Sequence, residues 1–241
     1  MQVKGVALRG PKLVLLWAML GLGICSGAQA ASSWEQGRNY FLLDPAQPTT
    51  VAPGKIEVTE VFSYACPACN SFYPVVDRLK AGLPSNAELV FVAAAFRPDE
   101  DWPMFQRAYY AAQILGLDKR THDAMFDAVW KTGELAIEDP STHRMKVPPP
   151  SIQDAAGFYA RTAGIKAETF LATANSFGVD TRMRQADQLV KDYRAEGTPT
   201  VIVNGKYRLD VQSAGGPEQV VELVKWLVAK ESAGGAKPSA H

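Results

Sequence analysis

Two cysteines three positions apart, Cys66 and Cys69, are the residues of this 241-residue chain best placed to do chemistry. The segment Cys66-Pro67-Ala68-Cys69 could ligate a metal, form a static crosslink or exchange disulfides reversibly. A four-cysteine zinc site needs two more thiolates; only Cys25 remains, and His122, His143 and His241 lack a His-x3-His spacing. No metal and no cofactor is therefore expected. A static disulfide across so short a loop removes little chain entropy and stabilises little. Redox exchange fits the spacing better, while a non-catalytic peptide-binding module with a static disulfide stays open as a reading of another class.

The elements around the pair sharpen the chemistry. Residues 55–63 (KIEVTEVFS) are rich in β-branched and apolar side chains and read as a strand. Residues 70–83 place Phe72, Val75, Val76, Leu79 and Leu83 near helical spacing. Pro67 is tolerated at the first helical position, and Pro74 is expected to kink the helix rather than end it. Cys66 thus falls at a helix N-terminus, where free N–H groups and the helix dipole favour an anion and lower the thiol pKa. The expectation is an asymmetric pair, with Cys66 the exposed nucleophile and Cys69, one turn deeper, the buried resolving thiol.

The first residues bear on the compartment. Lys4, Arg9 and Lys12 precede a continuous apolar stretch from residue 13 to 25, and Ala28-Gln29-Ala30 offers a cleavage site before Ala31. That stretch is shorter than the roughly 18 residues of a spanning helix. Ile24 stands where a lipid-attachment signal wants a small residue, so Cys25 is expected to be discarded with residues 1–30. The whole chain has 25 basic and 25 acidic residues. Losing three bases and no acid leaves a slight acidic excess with no basic stripe, which argues against nucleic acid as a partner. Residues 31–241 suffice for one domain or for a domain with an insertion.

Downstream, Gly197-Thr198-Pro199-Thr200 leads into the apolar run 201–203, then Asn204-Gly205, then 206–209, the pattern of a tight hairpin. Residues 218–230 form an amphipathic helix that would cover the sheet. Between the halves, a strand at 88–96 is followed by helical spacing at 102–115, 122–130, 151–162, 166–176 and about 179–193. Ser151 through Asp154, after Pro148-Pro149-Pro150, reads as a helix cap. His122 and His143 are expected in the core or at the surface, and residues 234–241 as a disordered tail.

The order strand, Cys-x-x-Cys, helix, Thr-Pro, hairpin and final helix resembles the thioredoxin fold. The phrases VFSYACPAC and GTPTVIVNGKYRL resemble in particular the DsbA family of bacterial periplasmic thiol:disulfide interchange proteins. The resemblance implies an α/β architecture, a thioredoxin fold with an inserted α-helical domain. Residues 31–98 and 188–241 would form the thioredoxin-like part and residues 99–187 the helical insert.

It also implies roles. Pro199 would be cis and lie against the cysteines, and Thr198 and Pro199 would dock an extended substrate by strand addition. Glu60 would be a buried acid that exchanges a proton with the buried thiol. Pro67 and Ala68 would modulate the pair. Trp102, Met104, Phe105 and Trp130 would line a peptide groove near the thiols, although each singly reads as core. The Cys66-Cys69 disulfide would be donated to reduced exported client proteins in the periplasm by a monomeric enzyme, itself reoxidised by a membrane quinone-linked oxidase of DsbB type. Ala68 stands where the family often has histidine, and Thr198 where it often has valine. Both departures leave an exported reductase or isomerase open as the alternative.

Overall fold

The computed structural model describes residues 34–139 and 141–235, together with residues 1, 2 and 5. The expected signal segment with its expected cleavage after Ala30, Cys25, and the residues beyond 235 with His241 lie outside the described residues. Among the described residues, no helix is long and apolar enough to cross a membrane.

The chain forms β1 (Phe41–Leu42), β2 (Ile56–Phe62), α1 (Pro67–Gly82) and β3 (Ala87–Ala93). Helices α2 (Trp102–Ile114), α3 (Asp118–Trp130), α4 (Ile152–Ala163), α5 (Ala167–Ala174) and α6 (Phe177–Asp192) follow. It closes with β4 (Thr200–Val203), β5 (Tyr207–Asp210), α7 (Val211–Ala214) and α8 (Pro217–Gly235). The strands make one sheet in the order β1-β5-β4-β2-β3. β2 and β3 are parallel, joined by the α1 crossover, and the remaining neighbours are antiparallel.

All seven residues of β2 are buried, as a central strand covered on both faces requires. One core packs Val58, Val201 and Leu209 against Phe72, Val76 and Leu79 of α1 and Leu223 and Leu227 of α8. The other packs the C-terminal ends of β2 and β3 against the helices inserted between β3 and β4. Burial of each large side chain contributes about 1.5–3 kcal/mol, so both cores resist separation from the sheet.

Local chemistry explains most boundaries. Asn204 and Gly205 both adopt positive φ, 54° and 63°, which gives the two-residue turn of the β4–β5 hairpin. A Cβ at Gly205 would overlap the Gln47 carbonyl, because the lead-in chain packs on this turn through Gln47 N–H to Gly205 O at 2.8 Å. Ser151 caps α4 in a reciprocal box with Asp154, and Gly164 ends it at φ 69°. α1 runs unbroken through Pro74.

Other boundaries differ from the sequence expectation. α3 starts at Asp118 rather than 122, because its first turn is polar and shows no apolar period. β3 ends at Ala93 rather than 96, and β1 and α7 are too short for any periodicity to betray them. α8 continues to Gly235, so residues 234 and 235 are helical rather than part of a disordered tail. α6 crosses the expected junction at 187/188, which makes it a continuous bridge out of the inserted helices.

Candidate active site

The turn after β2 delivers Cys66 to the N-cap of α1 with an extended backbone (φ −90°, ψ 117°) and Pro67 at the first helical position. Ser63 shapes this turn: its hydroxyl accepts from Ala65 N–H at 3.2 Å and its carbonyl from Cys66 N–H at 3.2 Å. Cys66 Sγ accepts from the Cys69 N–H at 3.4 Å, so a backbone donor that a helix leaves unpaired is aimed at the sulfur. Its own S–H reaches the Thr198 carbonyl at 3.5 Å. Both cysteines are free thiols.

These contacts separate the two thiols electrostatically. The Cys69 side chain, the Thr198 side chain and the Cys69 and Ala68 N–H groups favour the Cys66 thiolate and outweigh partial burial, bringing its pKa down to about 6. Cys69 is fully buried, and burial together with the neighbouring Cys66 pushes its thiol well above the ordinary range. One sulfur is held ready to ionise and the other is held as a thiol. Cys66 is less open than expected: only 6% of its surface is exposed, because the Thr198–Pro199 segment lies over it.

Glu60 lies on β2 below the pair, 4% exposed and without a hydrogen-bond partner among the described residues. Burial, and secondarily the Cys66 sulfur, raise its carboxyl to about 8, so most of it is protonated at neutral pH. The Thr198–Pro199 bond is cis. Thr198 Oγ1 is buried and makes no well-aligned hydrogen bond among the described residues, but it interacts with the Cys66 sulfur and favours its thiolate. The fold therefore gathers Cys66, Cys69, Glu60, Thr198 and Pro199, with Pro67 and Ala68 exposed at the helix start. Among the described residues no cluster of His, Cys, Asp and Glu is suited to a metal ion.

A groove of about 630 Å³ opens beside the thiols between Ala68, Ser71 and Phe72 of α1 and the segment Glu196 to Thr200. Its far wall holds Arg208, Asp210 and Gln212, which sequence reasoning missed; nothing in their local pattern marks a strand end that folds back toward α1. The aromatic residues expected to line this groove do not reach it. Trp102 and Phe105 are buried in the core under the inserted helices, and Met104 packs against that core. Trp130 also packs there, with Nε1 donating to the Tyr64 carbonyl at 2.8 Å. His122 lies in the core, one of the two placements expected for it, and its Nδ1 is 2.9 Å from the Tyr64 hydroxyl, a contact that its local pattern does not mark. α3 thus grips the residue two positions before Cys66 by both its side chain and its backbone. His143 is exposed on a loop at φ 53°.

Comparison with known proteins agrees with this geometry. Residues 57–224 match the family model described as a DSBA-like thioredoxin domain. The thiol:disulfide interchange protein DsbA of Pseudomonas syringae is 37% identical over 206 residues, covering 86% of this chain and 88% of that one. The crystal structure of Pseudomonas aeruginosa DsbA superposes with a TM-score of 0.72 at 33% identity, covering 86% of this chain and 99% of that one. A DsbA from Proteus mirabilis, solved with a non-covalently bound peptide, superposes with a TM-score of 0.60 at 25% identity, covering 81% and 98%.

Proposed function

This chain belongs to the DSBA-like thioredoxin family, a thiol:disulfide oxidoreductase by that membership, and we propose that Cys66 and Cys69 are its redox pair. The observation that carries the assignment is the opposite displacement of two thiols one helical turn apart. In the oxidised enzyme a client thiolate attacks Cys66 Sγ, the Cys66–Cys69 bond breaks, and a client–Cys66 disulfide forms. The electron pair leaves on Cys69, whose buried thiolate is unfavourable until protonated. Glu60, protonated near neutral pH and adjacent to the pair, supplies that proton. A second client thiolate then attacks the client sulfur and expels Cys66 as a thiolate. The client loses two electrons and gains a disulfide; the enzyme holds the dithiol.

A stable Cys66 thiolate makes the second step favourable, since it is the better leaving group and stabilises the reduced enzyme. The stabilised Cys66 thiolate favours an oxidant over a reductase even with Ala68 offering no donor at the helix start. Thr198 and Pro199 dock the client as an added strand beside the sulfurs, and the groove walled by Arg208 and Asp210 takes its flanking residues. The relative from Proteus mirabilis with its bound peptide supports a peptide-binding mode.

The remaining parts of the reading are that residues 31–98 with 188–241 act as the thioredoxin-like part and 99–187 as the insert, that the mature chain works as a monomer in the periplasm after cleavage at Ala30, and that a membrane quinone-linked oxidase of DsbB type restores the disulfide. Titrating the pair against glutathione tests the oxidant reading. The expected result is a dithiol that persists under mildly oxidising buffer; a disulfide that survives strongly reducing buffer would overturn it. Cys69→Ala should accumulate client disulfides on Cys66.

A further inference from the structure

β3 is an edge strand, and its backbone divides into two sides. Asn86 and Ala94 bond to β2, through Ile56 N–H to Asn86 O and Ala94 N–H to Phe62 O, both at 2.8 Å. By alternation Glu88, Val90 and Val92 also face β2, while Ala87, Leu89, Phe91 and Ala93 face outward. Part of this outer edge is closed by α2. The Ala93 N–H donates to Tyr110 Oη, the Ala93 carbonyl accepts from Gln106 Nε2, and the Phe91 carbonyl accepts from Tyr109 Oη. The Ala87 N–H is used by the preceding turn. The Leu89 N–H and carbonyl and the Phe91 N–H have no partner among the described residues, and they are consecutive outward groups on one short stretch.

That stretch borders a groove of about 400 Å³ between α1, β3, α2 and α3, with Tyr73, Val76, Leu83 and Tyr109 in its walls. His122 lines it while being 7% exposed. Burial holds this imidazole neutral, with its pKa down to about 3. The Tyr64 hydroxyl has no acceptor but His122 Nδ1 among the described residues, so Tyr64 donates and the ring's proton sits on Nε2. Nε2–H has no hydrogen-bond partner among the described residues, and His122 contributes this donor to the groove lining. The rim carries Asp77, Glu88, Asp118 and Asp123 against only Lys80 and Lys119.

We propose that this groove is a second docking site, separate from the thiols, which takes an extended client segment of alternating apolar and basic residues by strand addition to Leu89 and Phe91. Main-chain groups pair with the open edge, apolar side chains enter the groove, and basic ones meet the acidic rim. The excess of acid on the rim disfavours a second copy of the same edge as the occupant. That the natural occupant is a client rests on the thiol-exchange reading; two sites on one chain would raise the local concentration of client thiols at Cys66.

The test uses a short cysteine-free peptide in which valine alternates with lysine, and a matching peptide with glutamate for lysine, added to the full mature protein. Anisotropy reads affinity and amide hydrogen exchange reads Leu89 and Phe91. The lysine peptide should bind and protect both amides, and the glutamate peptide should bind at least about tenfold more weakly, as loss of charge complementarity implies. Leu89→Pro removes the outward N–H together with a side chain that packs against the sheet core and lines the groove, and should weaken binding about fivefold. Asp123→Lys lies on an exposed rim position and keeps the test valid if Leu89→Pro does not fold; it should weaken binding by a similar factor. Absence of protection at Leu89 and Phe91, equal binding of both peptides, or concentration-dependent self-association through these amides would overturn the proposal. Exchange with a dithiol peptide lacking the alternating segment is measured in parallel, and its persistence keeps the redox reading separate.

Discussion

Glu57 and Glu60 sit three residues apart on the same buried strand, 2% and 4% exposed, yet they live in opposite surroundings. Glu57 accepts from the Thr50 N–H at 2.6 Å, the Thr50 hydroxyl at 2.7 Å and the Thr59 hydroxyl at 2.8 Å. It pins the lead-in chain to the sheet. Glu60 meets no such donors and is coupled by charge to Cys66 and Cys69 instead. A buried carboxylate with donors is a structural anchor, whereas one without them becomes a proton store whose charge is coupled to its neighbours.

The largest effect that would break this contrast is expected at Glu60. Its folded pKa of about 8 lies above the unfolded 4.5, so its contribution is present below pH 4.5 and lost as pH rises through 8. Glu60→Gln should therefore stabilise the reduced protein above pH 8, by up to roughly 4 kcal/mol, as urea unfolding would read. Cys66 has the opposite sign: its pKa falls from 9.0 to about 6, so its contribution is present above pH 9 and lost as pH falls to 6. Between pH 6 and 8 the two slopes oppose, and the reduced wild-type protein should be nearly flat there while Glu60→Gln rises with pH. A steep wild-type slope in that window would contradict the pairing of these two groups.

Next in size, Glu57→Ala leaves three donors without their acceptor and should cost about 3 kcal/mol with no change in thiol titration. Trp130→Phe deletes the donor to the Tyr64 carbonyl and should cost about 1 kcal/mol, with a loss of exchange rate if the turn loosens. Thr198→Val should have the smallest effect, raising the Cys66 pKa by less than about one unit in a pH-dependent alkylation assay, because several other groups also favour the thiolate.

The sequence made the thiol pair and its frame legible, and the glutamate contrast invisible. Cys66 before Pro67 announces a helix start, and Asn204-Gly205 announces a hairpin, because those conformations depend on local residues alone. Glu57 and Glu60 look alike in IEVTEVF; what separates them is Thr50, seven residues upstream of Glu57, and a cysteine pair beyond the strand end. The partial covering of Cys66 by Thr198, the hold of His122 and Trp130 on Tyr64, and the wall formed by Arg208 and Asp210 all join segments distant in the chain. No periodicity encodes them. The inserted aromatics point the same way: Trp102 and Phe105 are core, as their apolar spacing on a helix implied, rather than lining of the thiol groove.

The asymmetry of the two thiols is read by the pH dependence of thiolate absorbance in the reduced protein, with alkylation assigning each step to its cysteine. One ionisation near pH 6 belonging to Cys66 is expected, while Cys69 stays protonated beyond pH 9. Two cysteines that titrate together near their ordinary value, or Cys69 ionising first, would contradict it.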